Sequence, residues 1–130
     1  MARYSDTTQP VRTAGYTGTL DTSSNASTDW TDVTSANVTD SRTGSAMPAA
    51  LVFTSVAVQN TSTTASAFLK LRARAGAGDP TSGEFEIPAG SSIAVECAGL
   101  VGGSPSTIAY KKGGASDELI FLFGLETATV

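Results

Sequence analysis

The sequence predicts an all-β protein: a β-sandwich or jelly-roll-like small barrel with an extended Ser/Thr-rich N-terminal arm. Three observations lead there. From about residue 50 onward, apolar and polar residues alternate with a period of two, as strands with one buried face require. Clusters of Gly, Pro, Asp and Ser interrupt these segments at intervals of about 8–12 residues, the spacing of turns in a sandwich. No stretch sustains apolar residues at i, i+3, i+4, so no long helix is expected.

Composition agrees. A chain of 130 residues suits one domain. At that size roughly two-thirds of the unfolded surface can be buried, with no need for a metal or disulfide. Charged residues make up 15% of the chain, against about a quarter in an average domain. Ser, Thr, Gly and Ala fill the difference. Thr packs well on a pleated surface, and small residues suit turns.

Two zones differ along the chain. In residues 1–45, Ser and Thr recur at nearly every second or third position around isolated anchors at Tyr4, Val11, Tyr16, Leu20, Trp30, Val33 and Val38. This zone reads as an extended arm or a set of edge strands, with the sandwich domain occupying 46–130. A polar terminus frays unless something holds it, so the arm is expected to dock on its own domain or on a neighbouring subunit.

The second zone reads as strands. Residues 50–60 are β-branched and aromatic and lead into a polar turn. In 67–74, Leu69, Leu71 and Ala73 face one way and Lys70, Arg72 and Arg74 the other. Residues 76–83 form a turn. Phe85 and Ile87 then point inward, with Glu84 and Glu86 outward. Pro88, Ala89 and Gly90 break that strand, and 92–98 resumes it with Ile93, Val95 and Cys97 inward. A turn at 102–106 precedes a strand over 107–112, and 113–116 reverses the chain into 118–125. That last segment is apolar on both faces and fits a strand buried on both sides. One face would line the core and the other a subunit contact.

The sequence offers little chemistry. It has no histidine, which removes the commonest general base, the usual serine-triad partner and the commonest zinc ligand. No serine lies in a G-x-S-x-G or S-x-x-K motif. Asp29, Asp32 and Asp40 do not form a calcium-loop pattern and read as solvated. Glu84 and Glu86 could pair with Lys70, Arg72 and Arg74 if their strands are neighbours. Lys111 and Lys112, beside Gly113 and Gly114, read as a solvated hairpin end rather than a phosphate grip. Asn25, Asn37 and Asn60 begin N-x-S/T sequons, read as chance in so Thr-rich a chain. Catalytic residues, cofactor and metal are all expected to be absent.

The formal net charge of −4 disfavours nucleic acid and anionic membrane as partners. The single cysteine, Cys97, cannot form an internal disulfide and reads as a small buried hydrophobe. Residues 1–10 lack the basic-then-apolar pattern of a signal peptide. The longest apolar run, 119–123, is far shorter than the ~20 residues that span a bilayer. A soluble protein made in the cytoplasm is expected. Trp30 stands out in its polar surroundings. It either pins the arm to the core or stacks on a partner.

The succession VAVQNTSTTASAFLKLR, GEFEIPAGSSIAVE, TIAYKK and ELIFLFG resembles the small β-sandwich virion proteins of tailed bacteriophages. Val58-Gln59-Asn60, the turn Ile87-Pro88-Ala89-Gly90-Ser91 and the hydrophobic run 119–123 carry the likeness, over about residues 50–125. The resemblance implies a non-enzymatic structural protein of the virion. Capsid decoration or cement protein is the first expectation, and a neck, tail or fibre-base part the second. A carbohydrate- or receptor-binding sandwich is a third possibility. The major capsid protein or other virion proteins would be partners, and the chain would work as a homo-oligomer. Candidate partner contacts are Tyr4, Tyr16, Trp30, Phe121 and Phe123.

Overall fold

Two antiparallel sheets face each other in the computed structural model, which describes residues 15–48, 50–72, 82–97 and 105–127. In chain order the strands are β1 (Gly15–Asp21), β2 (Thr31–Val33), β3 (Thr39–Asp40), β4 (Leu51–Asn60), β5 (Ala67–Arg72), β6 (Phe85–Ile87), β7 (Ser92–Glu96), β8 (Thr107–Lys111) and β9 (Leu119–Thr127). Helix among the described residues amounts to two single 3₁₀ turns, Thr22–Ser24 and Ser35–Asn37. The five-stranded sheet has the order β3-β1-β9-β4-β7, and the four-stranded sheet β2-β8-β5-β6. With the two-residue β3 set aside, every connection but β5–β6 crosses from one sheet to the other. That winding is a jelly roll, so the sequence-based fold class holds.

Alternation builds the core from both sheets. Leu119, Phe121, Phe123 and Leu125 of β9 point inward, with Phe53, Val56 and Val58 of β4 beside them. Ala67, Leu69 and Leu71 of β5, Ile87 of β6, and Ile108 and Tyr110 of β8 face them from the other sheet. The rings of Tyr110 and Phe121 meet across the sandwich at 5.6 Å, and Phe121 stacks on Phe123 at 5.2 Å. The inner faces expected for 67–72, for Ile87 and for Cys97 are therefore the observed ones. Phe85, Ile93 and Val95 pack against the core from half-buried positions.

Turn chemistry also acts where it was expected. Gly90 takes a φ of +72°, and the Ser91 N–H donates to the Pro88 carbonyl (3.0 Å), closing the turn between β6 and β7. A left-handed residue at that position suits glycine. In β4 the register slips between Phe53 and Ser55, leaving Thr54 as a bulge.

Residues 15–45 supply β1, β2 and β3. β2 and β3 are sheet edges, whereas β1 lies inside the five-stranded sheet and pairs with β9 along its whole length, from Gly15↔Glu126 to Asp21↔Ile120. Tyr4, Val11, Ala73 and Arg74 lie outside the described residues, as does most of the turn segments 76–83 and 102–106.

Candidate functional site

Strand register places the outward residues of the five-stranded sheet in rows. One row reads Asp21, Ile120, Gln59, Ser92. The next reads Thr39, Thr19, Leu122, Ala57, Ala94, and a third Thr17, Gly124, Ser55, Glu96. Ile120 and Leu122 are 41% and 49% exposed and form a ridge along β9. Shallow depressions flank the ridge where Ala57, Ala94, Ser92 and Gly124 offer little side chain. The last strand is thus covered on its inner side only. The inner face lines the core, as the sequence reading of 118–125 expected; among the described residues, nothing from the chain itself lies over the outer one, the face that reading gave to a subunit contact. No lysine or arginine stands on any strand of this sheet, whereas Asp21, Asp40, Glu96 and Glu126 do.

The four-stranded sheet carries charges of both signs, three cations to two carboxylates. Lys70 and Arg72 of β5 and Lys111 of β8 point outward, with Asp32 of β2 and Glu86 of β6. β5 and β6 are indeed neighbours, but Glu86 stands opposite Phe68 and accepts a hydrogen bond from the Ser66 hydroxyl (2.7 Å). Arg72 turns the other way and pairs with Asp32 at 3.3 Å. Trp30 is half-buried on this outer face and is not part of the core cluster. The Lys70 ammonium sits 4.1 Å from its ring centroid and that of Lys111 6.0 Å, both within cation–π reach.

The ends of the sandwich are tied by buried polar side chains. Lys112 is only 2% exposed, so it is not the solvated hairpin residue the sequence suggested. Its ammonium donates to the carbonyls of Thr22, Asn25 and Ala115, joining the β1–β2 loop to the β8–β9 turn. The Leu119 N–H donates to Thr22 Oγ1 (3.0 Å) across the same junction. Asn60 is buried at the end of β4. Its Nδ2 donates to the carbonyls of Ala65 and Ile87 (2.9 and 3.0 Å), and its Oδ1 accepts from the Ser62 N–H. Asn25 Nδ2 likewise donates to the Tyr110 hydroxyl (2.7 Å), and Asn37 Oδ1 accepts from the Thr34 N–H (2.9 Å). All three sequon asparagines therefore have structural work within the chain.

Two carboxyls meet where β1 ends and β9 begins. The Glu118 carboxyl donates to Asp21 and is held above its ordinary range by that bond and by the neighbouring charge. Asp21, accepting from Glu118 and from the Ser23 N–H, is held below its own. Burial, with Glu96 adding to it, pushes the Cys97 thiol up to about 12, so it stays protonated and inert. No group of three or more Cys, Asp or Glu side chains among the described residues comes together to hold a metal ion.

The structure separates the sequence-based contact candidates. Tyr4 lies outside the described residues. Tyr16 points inward from β1 and packs against the core from a half-buried position. Phe121 and Phe123 are 1% and 0% exposed and cannot meet a partner. This is a correction. The outward residues of that strand are Ile120 and Leu122, which no signal within the uniformly apolar run could distinguish. Comparison with known proteins adds no identity: no family model, no curated protein and no solved structure matches the chain.

Proposed function

We propose that the chain is a non-enzymatic virion structural protein, a capsid decoration or cement protein that packs the outer face of its five-stranded sheet against other virion subunits. The uncovered ridge of Ile120 and Leu122 carries this proposal. It lies at the middle of a flat face of Thr, Ser, Ala and Gln, and exposed apolar surface rimmed by polar residues marks contact sites. Action would be passive. Seating the face on the major capsid protein or another virion protein adds buried area and opposes shell expansion. The chain would be made in the host cytoplasm and end in the virion. Jelly rolls occur both in viral capsid proteins and in lectins, so the fold alone does not decide between shell and sugar. Against a carbohydrate module stands the lack of a row of exposed aromatics among the described residues: Tyr110, the other candidate beside Trp30, is 3% exposed.

Quantitative mass spectrometry of gradient-purified particles made by the encoding genome tests this. A fixed copy number in intact particles and in tail-free shells is expected. Recovery with tails alone would move the protein to the neck, tail or fibre base, and absence from particles would overturn the proposal.

A further inference from the structure

The two outer faces of the sandwich differ in charge: the strands of one carry no cation, and those of the other carry Lys70, Arg72 and Lys111 beside Asp32, which pairs with Arg72, and Glu86. The strands of the five-stranded sheet carry carboxylates and no cation, and on its outer face these stand at the margin, with Asp21 and Glu96 on either side of the Ile120–Leu122 ridge. On the four-stranded sheet, Lys70 and Lys111 surround Trp30, and Phe68 lies beside them in register with Lys111. We propose that the occupant of the five-stranded face is the four-stranded face of a second copy of this chain, joined head to tail. This rests on reading the five-stranded face as a docking surface and names its partner.

Three physical points favour this arrangement over a symmetric one. Pairing two five-stranded faces would bring together two surfaces whose strands carry carboxylates and no cation, and like charges brought together at a contact are repulsive. The head-to-tail contact instead places those carboxylates near Lys70 and Lys111. It also sets Ile120 and Leu122 against Trp30, the side chain that most often anchors interfaces. Because the two faces lie on opposite sides of one sandwich, the contact is heterologous: it leaves a free face at each end and extends into a ring or a stack.

The expected strength follows from size. The smaller face limits the contact: four strands (β2-β8-β5-β6) of three to six residues, spaced ~4.8 Å apart, offer on the order of 300 Å² per partner. The total, about 600 Å², falls below the size of stable specific interfaces. A single contact is therefore weak, and repetition supplies the stability.

Sedimentation velocity on the full chain, from about 10 μM to about 1 mM, reads the association directly. Wild type is expected to self-associate, more strongly at about 50 mM than at about 500 mM salt. A five-stranded-face variant, Leu122→Lys, and a four-stranded-face variant, Lys70→Glu with Lys111→Glu, should each lose self-association by at least about tenfold. Ile120→Lys serves as a second variant of the first face. All these positions point outward, and unchanged thermal midpoints confirm folding. The deciding result is the mixture: each variant retains one intact face, so equal amounts should form a 1:1 dimer that neither forms alone. Self-association of the Lys70→Glu/Lys111→Glu variant at wild-type strength would overturn the proposal in favour of a symmetric dimer. A monomeric wild type throughout would also overturn it, while leaving a role on the virion open if the chain is still found in particles.

Discussion

Burying an ammonium group away from water is costly unless its protons find acceptors, and at Lys112 three backbone carbonyls take that place. Lys112→Met keeps much of the stem's packing but leaves those carbonyls without their donor. A loss of about 2–4 kcal/mol is expected, from one charged hydrogen-bonding group and its stranded partners. Urea denaturation followed by far-UV circular dichroism measures it, and a loss below the urea error would show that water serves the loop equally well. The Asp21–Glu118 pair gives the chain a pH response. Glu118's raised value means its stabilising contribution is complete below its ordinary value near 4.5 and is lost as pH rises through the raised one. Asp21's lowered value works in the opposite sense: its contribution is present above its ordinary 3.8 and lost as pH falls through the lowered one. The shared proton therefore helps most between those two limits, and above them two carboxylates face each other. Glu118→Gln keeps a donor for Asp21 without the second charge. Its melting temperature should exceed wild type at neutral pH, and the advantage should vanish near pH 4.5. An equal gain at both pH values would mean that the repulsion has no part in it.

At the scale of elements, β1 shows how one small residue admits its neighbours. Gly18 points inward, and a Cβ built there would overlap Val38 Cγ1 and Met47 Cε and approach the Thr39 carbonyl at 3.3 Å. Met47 can bend away, but Val38 is β-branched and stiff. Gly18→Ala is expected to cost about 1–3 kcal/mol by overpacking, read as a drop in the urea midpoint. A neutral result would show that the segment from β3 to Met47 shifts without resistance. The strands themselves were legible before the structure: 67–72, 85–87, 92–96 and 107–111 alternate or run apolar between Gly- and Pro-bearing turns. The first zone read only as an arm or a set of edge strands, so the place of β1 inside a sheet was not legible. The Thr and Gly residues of β1 and β2 gain stability from pairing with the apolar β9 and β8, and that is a partner's property rather than their own.

Residues 15–45, the described part of the polar N-terminal zone, fold into both sheets and have no separate core. Trp30 is the chain's single tryptophan and reports on the region just before β2. Its fluorescence change on urea unfolding should coincide with the loss of far-UV circular dichroism, one midpoint for both probes. An earlier fluorescence transition would show that residues around Trp30 release before the sandwich opens.

What the sequence by itself determined is the class of architecture and much of the inward set: alternation in β5 names Leu69 and Leu71, and the Pro88-Ala89-Gly90 turn ends β6. For function it set only an expectation, that a histidine-free acidic chain offers few catalytic or phosphate-binding groups. The tertiary structure alone decided which side of β9 is presented. Every residue from 119 to 123 is apolar, so alternation carries no contrast there. Placing β9 between β1 and β4, with the Tyr110 ring meeting Phe121, turns the phenylalanines inward and leaves Ile120 and Leu122 outside. The same holds for charge. Spacing along the chain could not reveal that the strand cations gather on one sheet and are missing from the strands of the other, because sheet membership is assigned by long-range pairing, and that pairing is what gives the molecule two distinct faces.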